Sequence, residues 1–167
     1  GKLDQESQQW TVFESKLRTD LHQVFASPLF SNNHFKGDYH NLTWYILDNK
    51  SLKKINYRYN QYQNQIIRKV IELDTEKIIQ QSDEKQSNKN KYQKKVISEM
   101  KFFSEIEIEK FEFSYLNPDQ NYWTGSWDYQ NNAGLPELIR CNLEVDKIEL
   151  PDPLIINVYT GKTIPSN

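Results

Sequence analysis

Apolar residues near the start of the chain fall at Trp10, Phe13, Leu17, Leu21, Val24 and Phe25, steps of mostly three and four that put them on one face of a helix. Gln8, Gln9, Glu14, Ser15, Lys16, Arg18, Thr19, His22 and Gln23 fill the other positions and would face water. No Gly or Pro interrupts the run from Leu3 to Ala26, and Pro28 ends a helix at or before Ser27. The pattern predicts a helix within residues 1–27, about 35 Å long over about 23 residues, with Asp4 and Glu6 at the end whose dipole favours acids. From Leu42 the period changes to two. Leu42, Trp44 and Ile46 alternate with Thr43 and Tyr45, Ile55, Tyr57 and Tyr59 alternate with Asn56 and Arg58, and a third strand covers Ile66 to Leu73. Short polar turns at Asp48–Ser51 and Asn60–Gln65 join these strands into an antiparallel meander.

Residues 76–95 break the pattern. No apolar residue stands between Ile79 and Tyr92, so the segment reads as a mobile surface insertion or a long hairpin tip. The next strand slips phase: Ile106 and Ile108 share one parity, whereas Phe111, Phe113 and Tyr115 take the other. One extra residue at Glu109–Lys110, a bulge, returns both sets to one face. Tyr122, Trp123 and Trp127 mark a short strand around Gly125, Leu138 to Val145 another, and Leu154 to Tyr159 the last, after Pro151 and Pro153. The expected fold class is α+β, a long N-terminal helix packed on an antiparallel β-sheet, in one domain spanning 1–167.

Composition narrows the function classes. Ten Tyr, eight Phe and four Trp in 167 residues exclude general disorder. A net charge of −2 leaves no basic footprint for nucleic acid, and Lys89, Lys91, Lys94 and Lys95 are diluted by Asp83 and Glu84. No stretch is apolar for long enough to span a bilayer. The single Cys141 sits in an alternating apolar strand, which makes it a buried, inert thiol and neither a disulfide partner nor a nucleophile. His34, Asp38 and His40 share a loop, but their spacing matches no metal-ligand pattern, so they read as exposed loop residues. Glu105, Glu107, Glu109 and Glu112 read as a solvated strand face. No Gly-rich phosphate loop, GxSxG, HExxH or CxxC occurs. No catalytic residue, cofactor or metal ion is expected.

Several short segments, taken in order, carry a family resemblance. They are Leu17-Arg18-Thr19-Asp20-Leu21 on the helix, Ile55-Asn56-Tyr57 with Ile67-Arg68, Phe111-Glu112-Phe113-Ser114-Tyr115, and Trp127 ahead of Leu135-Pro136-Glu137-Leu138-Ile139-Arg140. In these the chain resembles the J-type minor pseudopilins of bacterial type II secretion systems. The resemblance implies a non-enzymatic assembly component whose upstream helix would be an apolar inner-membrane anchor and whose globular part would be periplasmic. It further implies assembly with I-like and K-like minor pseudopilins at the tip of a pseudopilus, with the secreted substrate as a further contact. The insertion at 76–95 departs from the family in its length and polarity. On the helix, Val12 and Arg18 are the candidate partner contacts. Two alternatives remain at this level: a minor pilin of a type IV pilus, and a periplasmic ligand-binding module lined by Trp44, Trp123 and Trp127.

Overall fold

The computed structural model describes residues 2–24, 35–48, 51–73, 93–117, 119, 121–129, 131–132, 134–145 and 153–158. Among these residues one helix, α1 (Lys2–Leu21), precedes ten strands: β1 (Phe35–Gly37), β2 (Asn41–Asp48), β3 (Ser51–Asn60), β4 (Gln65–Leu73), β5 (Gln93–Phe102), β6 (Ile108–Leu116), β7 (Trp123–Thr124), β8 (Trp127–Asp128), β9 (Leu138–Val145) and β10 (Leu154–Asn157). They form two antiparallel sheets, a six-stranded one in the order β5-β4-β3-β2-β1-β8 and a four-stranded one in the order β10-β9-β6-β7.

This overturns the expected architecture. The described residues are mostly β, with two sheets and one 20-residue helix, and do not form a long helix laid on a single sheet in the pilin-like manner. The reason is the area to be covered. Leu42, Trp44, Ile46, Ile55, Tyr57, Ile66 and Val70 line one face of the large sheet, and a helix of this length shields only part of such a face. The second sheet supplies a matching apolar face through Phe111, Phe113, Tyr115, Ile139, Cys141, Leu143 and Ile156, and both enter one continuous core.

The apolar stripe of α1 behaves as its spacing predicts. Trp10, Phe13, Leu17 and Leu21 are buried, with the Phe13 ring 5.2 Å from Phe102 and 6.1 Å from both Tyr57 and Phe111. The helix stops earlier than Pro28 alone dictates. His22 N–H still bonds to Arg18 O, but Gln23 and Val24 turn back to Asp20 O and Leu21 O, and Val24 then bridges to Ile46 on β2. A sheet contact, not proline, ends it.

The bulge at Glu109 forms where the phase slip predicts: Ile108 faces Val145, Lys110 faces Glu144, and Glu109 is the extra residue. Ile108, Phe111, Phe113 and Tyr115 are consequently all buried. Ile106, expected in this strand, lies before it in a turn where its N–H bonds to Phe103 O and Phe103 adopts φ 58°. The insertion at 76–95 lies mostly outside the described residues, and its last part belongs to β5.

The two sheets exchange a strand segment at one corner. β7 pairs with β6, whereas β8, three residues on, pairs with β1. Gly125 makes the crossing, and a Cβ there would stand 2.2 Å from the Tyr39 ring.

Candidate functional site

The chemistry of α1 centres on Asp20. Its position three residues after Leu17 places it on the buried side, and Arg68 alternates with Ile66 and Val70 on the buried face of β4. Arg68 Nε donates to Asp20 Oδ2 at 2.6 Å and its terminal nitrogen donates to Oδ1 at 3.0 Å. Tyr57, opposite Arg68 in the β3–β4 register, donates its hydroxyl to Oδ2 at 2.6 Å. Burial, reinforced by the Asp20 charge and hydrogen bond, pushes the Tyr57 phenol far above its ordinary value, so it remains a donor. The Trp44 indole donates to Asp20 O at 3.1 Å, which satisfies a carbonyl in the last turn of the helix. Buried ions cost several kcal/mol each unless paired and hydrogen-bonded, and here the bidentate geometry supplies the pairing.

The opposite side of the helix is open. Gln8, Ser15, Thr19 and His22 face solvent, with Val12 51% exposed among them. Arg18 is part-exposed and bonded to Glu14 Oε1 at 3.2 Å. Val12 and Arg18 are six residues apart, hence about 120° around from one another on either flank of this polar arc. The structure does not bring them together as one anchor.

A groove of about 580 Å³ lies where the sheets join, between the β1–β2 turn, the β3–β4 hairpin and β6. The junction is held by Phe113 N–H donating to Tyr39 O and Tyr115 O–H donating to Asp38 O, both at 2.8 Å. Burial raises the Tyr115 hydroxyl well above its usual range, which keeps that donor protonated. Asp38 Oδ1 accepts the backbone N–H groups of His40 and Asn41, and the His40 ring stands edge-on to Tyr59 at 5.2 Å. These contacts give Asp38 and His40 a turn-forming part. His34 lies outside the described residues, and among the described residues no three His, Cys, Asp or Glu side chains gather at one point.

Cys141 is fully enclosed opposite Phe113 and Leu154, and burial pushes its thiol far up, so the thiolate needed for a nucleophile is suppressed. The four glutamates do not converge: Glu105 and Glu107 precede β6, Glu109 is the bulge, and Glu112 borders the groove. Trp44 and Trp127 are core side chains, whereas Trp123 lies under the Arg140 guanidinium at 4.4 Å on an edge strand. The three tryptophans therefore do not line one shared cleft.

Asp20 and Arg68 stand in separate sequence motifs, and nothing in either motif predicts their pairing. A signal of burial existed in each: a charged residue standing in an apolar phase, once at helical period and once at period two. The groove carried no such signal, since its walls come from three distant segments. Comparison with protein-family models and with curated proteins finds no match to this chain. No described helix is long and apolar enough to cross a membrane.

Proposed function

We propose that this chain is a non-enzymatic assembly component, a J-type minor pseudopilin of a type II secretion system whose partners are the I-like and K-like minor pseudopilins. One observation carries the reading. Two segments on which the sequence resemblance rests, Leu17–Leu21 and Ile67-Arg68, are joined by the buried Asp20–Arg68 pair. That pair fixes the orientation of α1 on the body and keeps its Gln8–Val12–Ser15–Thr19 side outward, where a second helix can lie along it. The reading rests on the helix and its anchor and makes no use of the single-sheet, pilin-like architecture corrected above.

The test is direct. Mixed with the I-like and K-like soluble domains of its own genome at about 50 µM, the chain forms a discrete complex in size-exclusion chromatography with light scattering, through interfaces of about 800 Å² per partner. Val12→Asp weakens that complex and leaves the melting temperature unchanged, because Val12 supports no part of the core. Three folded proteins that never co-elute in any pair refute the proposal. Association instead with the minor pilins of a type IV pilus moves the chain to that system.

A further inference from the structure

We propose that the groove at the sheet junction is an oligosaccharide-binding site selective for neutral sugar chains. Its volume, about 580 Å³, is that of a small-ligand site. Every described residue lining it is either polar or aromatic, and none is aliphatic. Protein hot spots sit in well-packed, fully desolvated pockets, whereas Tyr39, Arg58, Gln61 and Tyr62 stand exposed along this groove. Sugars present the complementary surface, a patch of C–H groups on each ring face with hydroxyls around the rim, and they bind through exposed aromatic rings flanked by hydrogen-bonding side chains.

Three tyrosines provide the rings. Tyr39 is 56% exposed yet held in place, because its ring rests against the backbone of Gly125, where even a Cβ would not fit. Tyr59 is backed by Phe111 at 5.5 Å and by the edge of His40. Tyr62 stands 91% exposed at the hairpin tip, whose turn is pinned by the Asn60 side chain accepting the Tyr62 and Gln63 backbone N–H groups. Tyrosine rings give large contact area at low entropic cost, having few rotatable bonds.

Arg58 and Glu112 supply the polar groups. Arg58 is exposed, and its side chain makes no hydrogen bond or ion pair with any described residue, so none of these residues occupies its guanidinium donors. Glu112 contributes an acceptor from β6 and, among the described residues, its side chain meets Lys110 at 3.9 Å, both being part-exposed. With Asp38 also on its wall, the groove carries two carboxylates against one guanidinium, a slight negative excess that favours a neutral glycan over a polyanionic one.

The site is independent of the helix flank, so this inference can fail without the assembly reading failing, and the reverse. The test is titration of the ¹⁵N-labelled protein with cellohexaose, chitohexaose or maltohexaose up to about 10 mM, followed by backbone amide shifts. At least one sugar is expected to move the resonances of 38–41, 58–62 and 112. Tyr62→Ala and Arg58→Ala, both at exposed positions, should each weaken that binding by about tenfold with no change in melting temperature. Absence of shifts with all three sugars overturns the proposal, as does binding that neither substitution weakens. A casein digest that moves these resonances when no sugar does overturns it too, and makes the groove a peptide site.

Discussion

Replacing Asp20 with Ala strands a charge inside the protein, and its consequence can be worked from the geometry. Arg68 loses both hydrogen bonds to the carboxylate and keeps its positive charge at 6% exposure. Breaking a buried pair from one side costs about 3–5 kcal/mol. The Tyr57 hydroxyl also loses its acceptor, an unsatisfied buried group that costs about 1–3 kcal/mol by itself. The two losses share one partner and do not add in full, so about 4–6 kcal/mol is expected. Against a total stability of about 5–15 kcal/mol this brings the fold to the edge of unfolding. For a chain of this length the melting temperature should fall by about 10–20 °C. Removing both charges tests the mechanism: Asp20→Leu with Arg68→Met should recover most of the loss, because a buried ion pair replaced by apolar groups is close to neutral. Calorimetry and urea unfolding of the parent, both single variants and the double variant complete the cycle. A fall of less than about 3 °C for Asp20→Ala, or a double variant no more stable than the worse single one, refutes the buried-pair account.

Three further outcomes follow from the fold. Cys141, Tyr57 and Tyr115 all titrate higher in the folded protein than their ordinary values of 9.0 and 10.0. The unfolded chain therefore loses these protons first, and stability should hold below about pH 9 and fall as pH rises above it, by up to about 1.4 kcal/mol per pH unit for each group; a flat melting temperature from about pH 8 to about pH 11 contradicts this. Gly37→Ala places a Cβ 2.0 Å from the Tyr115 hydroxyl, so the ring must shift and its bond to Asp38 O is lost, at about 1–3 kcal/mol in urea unfolding; an unchanged unfolding midpoint would show that the junction is slack. Deleting Glu109 straightens β6 with Ile108 still inward, and should cost less than about 1 kcal/mol, whereas deleting Glu112 turns Phe111 outward and Lys110 inward and should cost several-fold more; equal thermal stability of the two deletions refutes the assigned register.

Local period was enough to mark which side of each segment is apolar. The stripe from Trp10 to Leu21, the alternation at Leu42–Ile46 and Ile55–Tyr59, the extra residue at Glu109 and the enclosed Cys141 all follow from spacing along a few consecutive residues. β5 was not legible, since Gln93–Phe102 contains adjacent Val96 and Ile97 and its pairing with β4 is broken twice by register shifts, at Val70/Ile71 and at Glu72/Leu73. Bulges erase the alternation by which a strand is recognised. Partner and secretion assignments entered through family resemblance alone, with no physical signal in spacing to carry them.

The remaining decisions belonged to distant contacts. Period two says that a strand has a face to bury and is silent on which sheet will bury it, so two sheets and one sheet are equally compatible with the same strands. The choice was made by area, because one helix could not cover six strands and a second sheet could. The helix end moved to Leu21 through Val24 meeting Ile46 and Trp44 reaching Asp20 O. Asp20 found Arg68 across 48 positions of chain. The groove exists only because the turn at Asp38–Asn41, the hairpin at Arg58–Tyr62 and Glu112 meet. Within a segment, side-chain direction is fixed by the backbone period. Between segments, the pairing is fixed by burial and charge satisfaction summed over the whole molecule, and that sum has no local trace in the sequence.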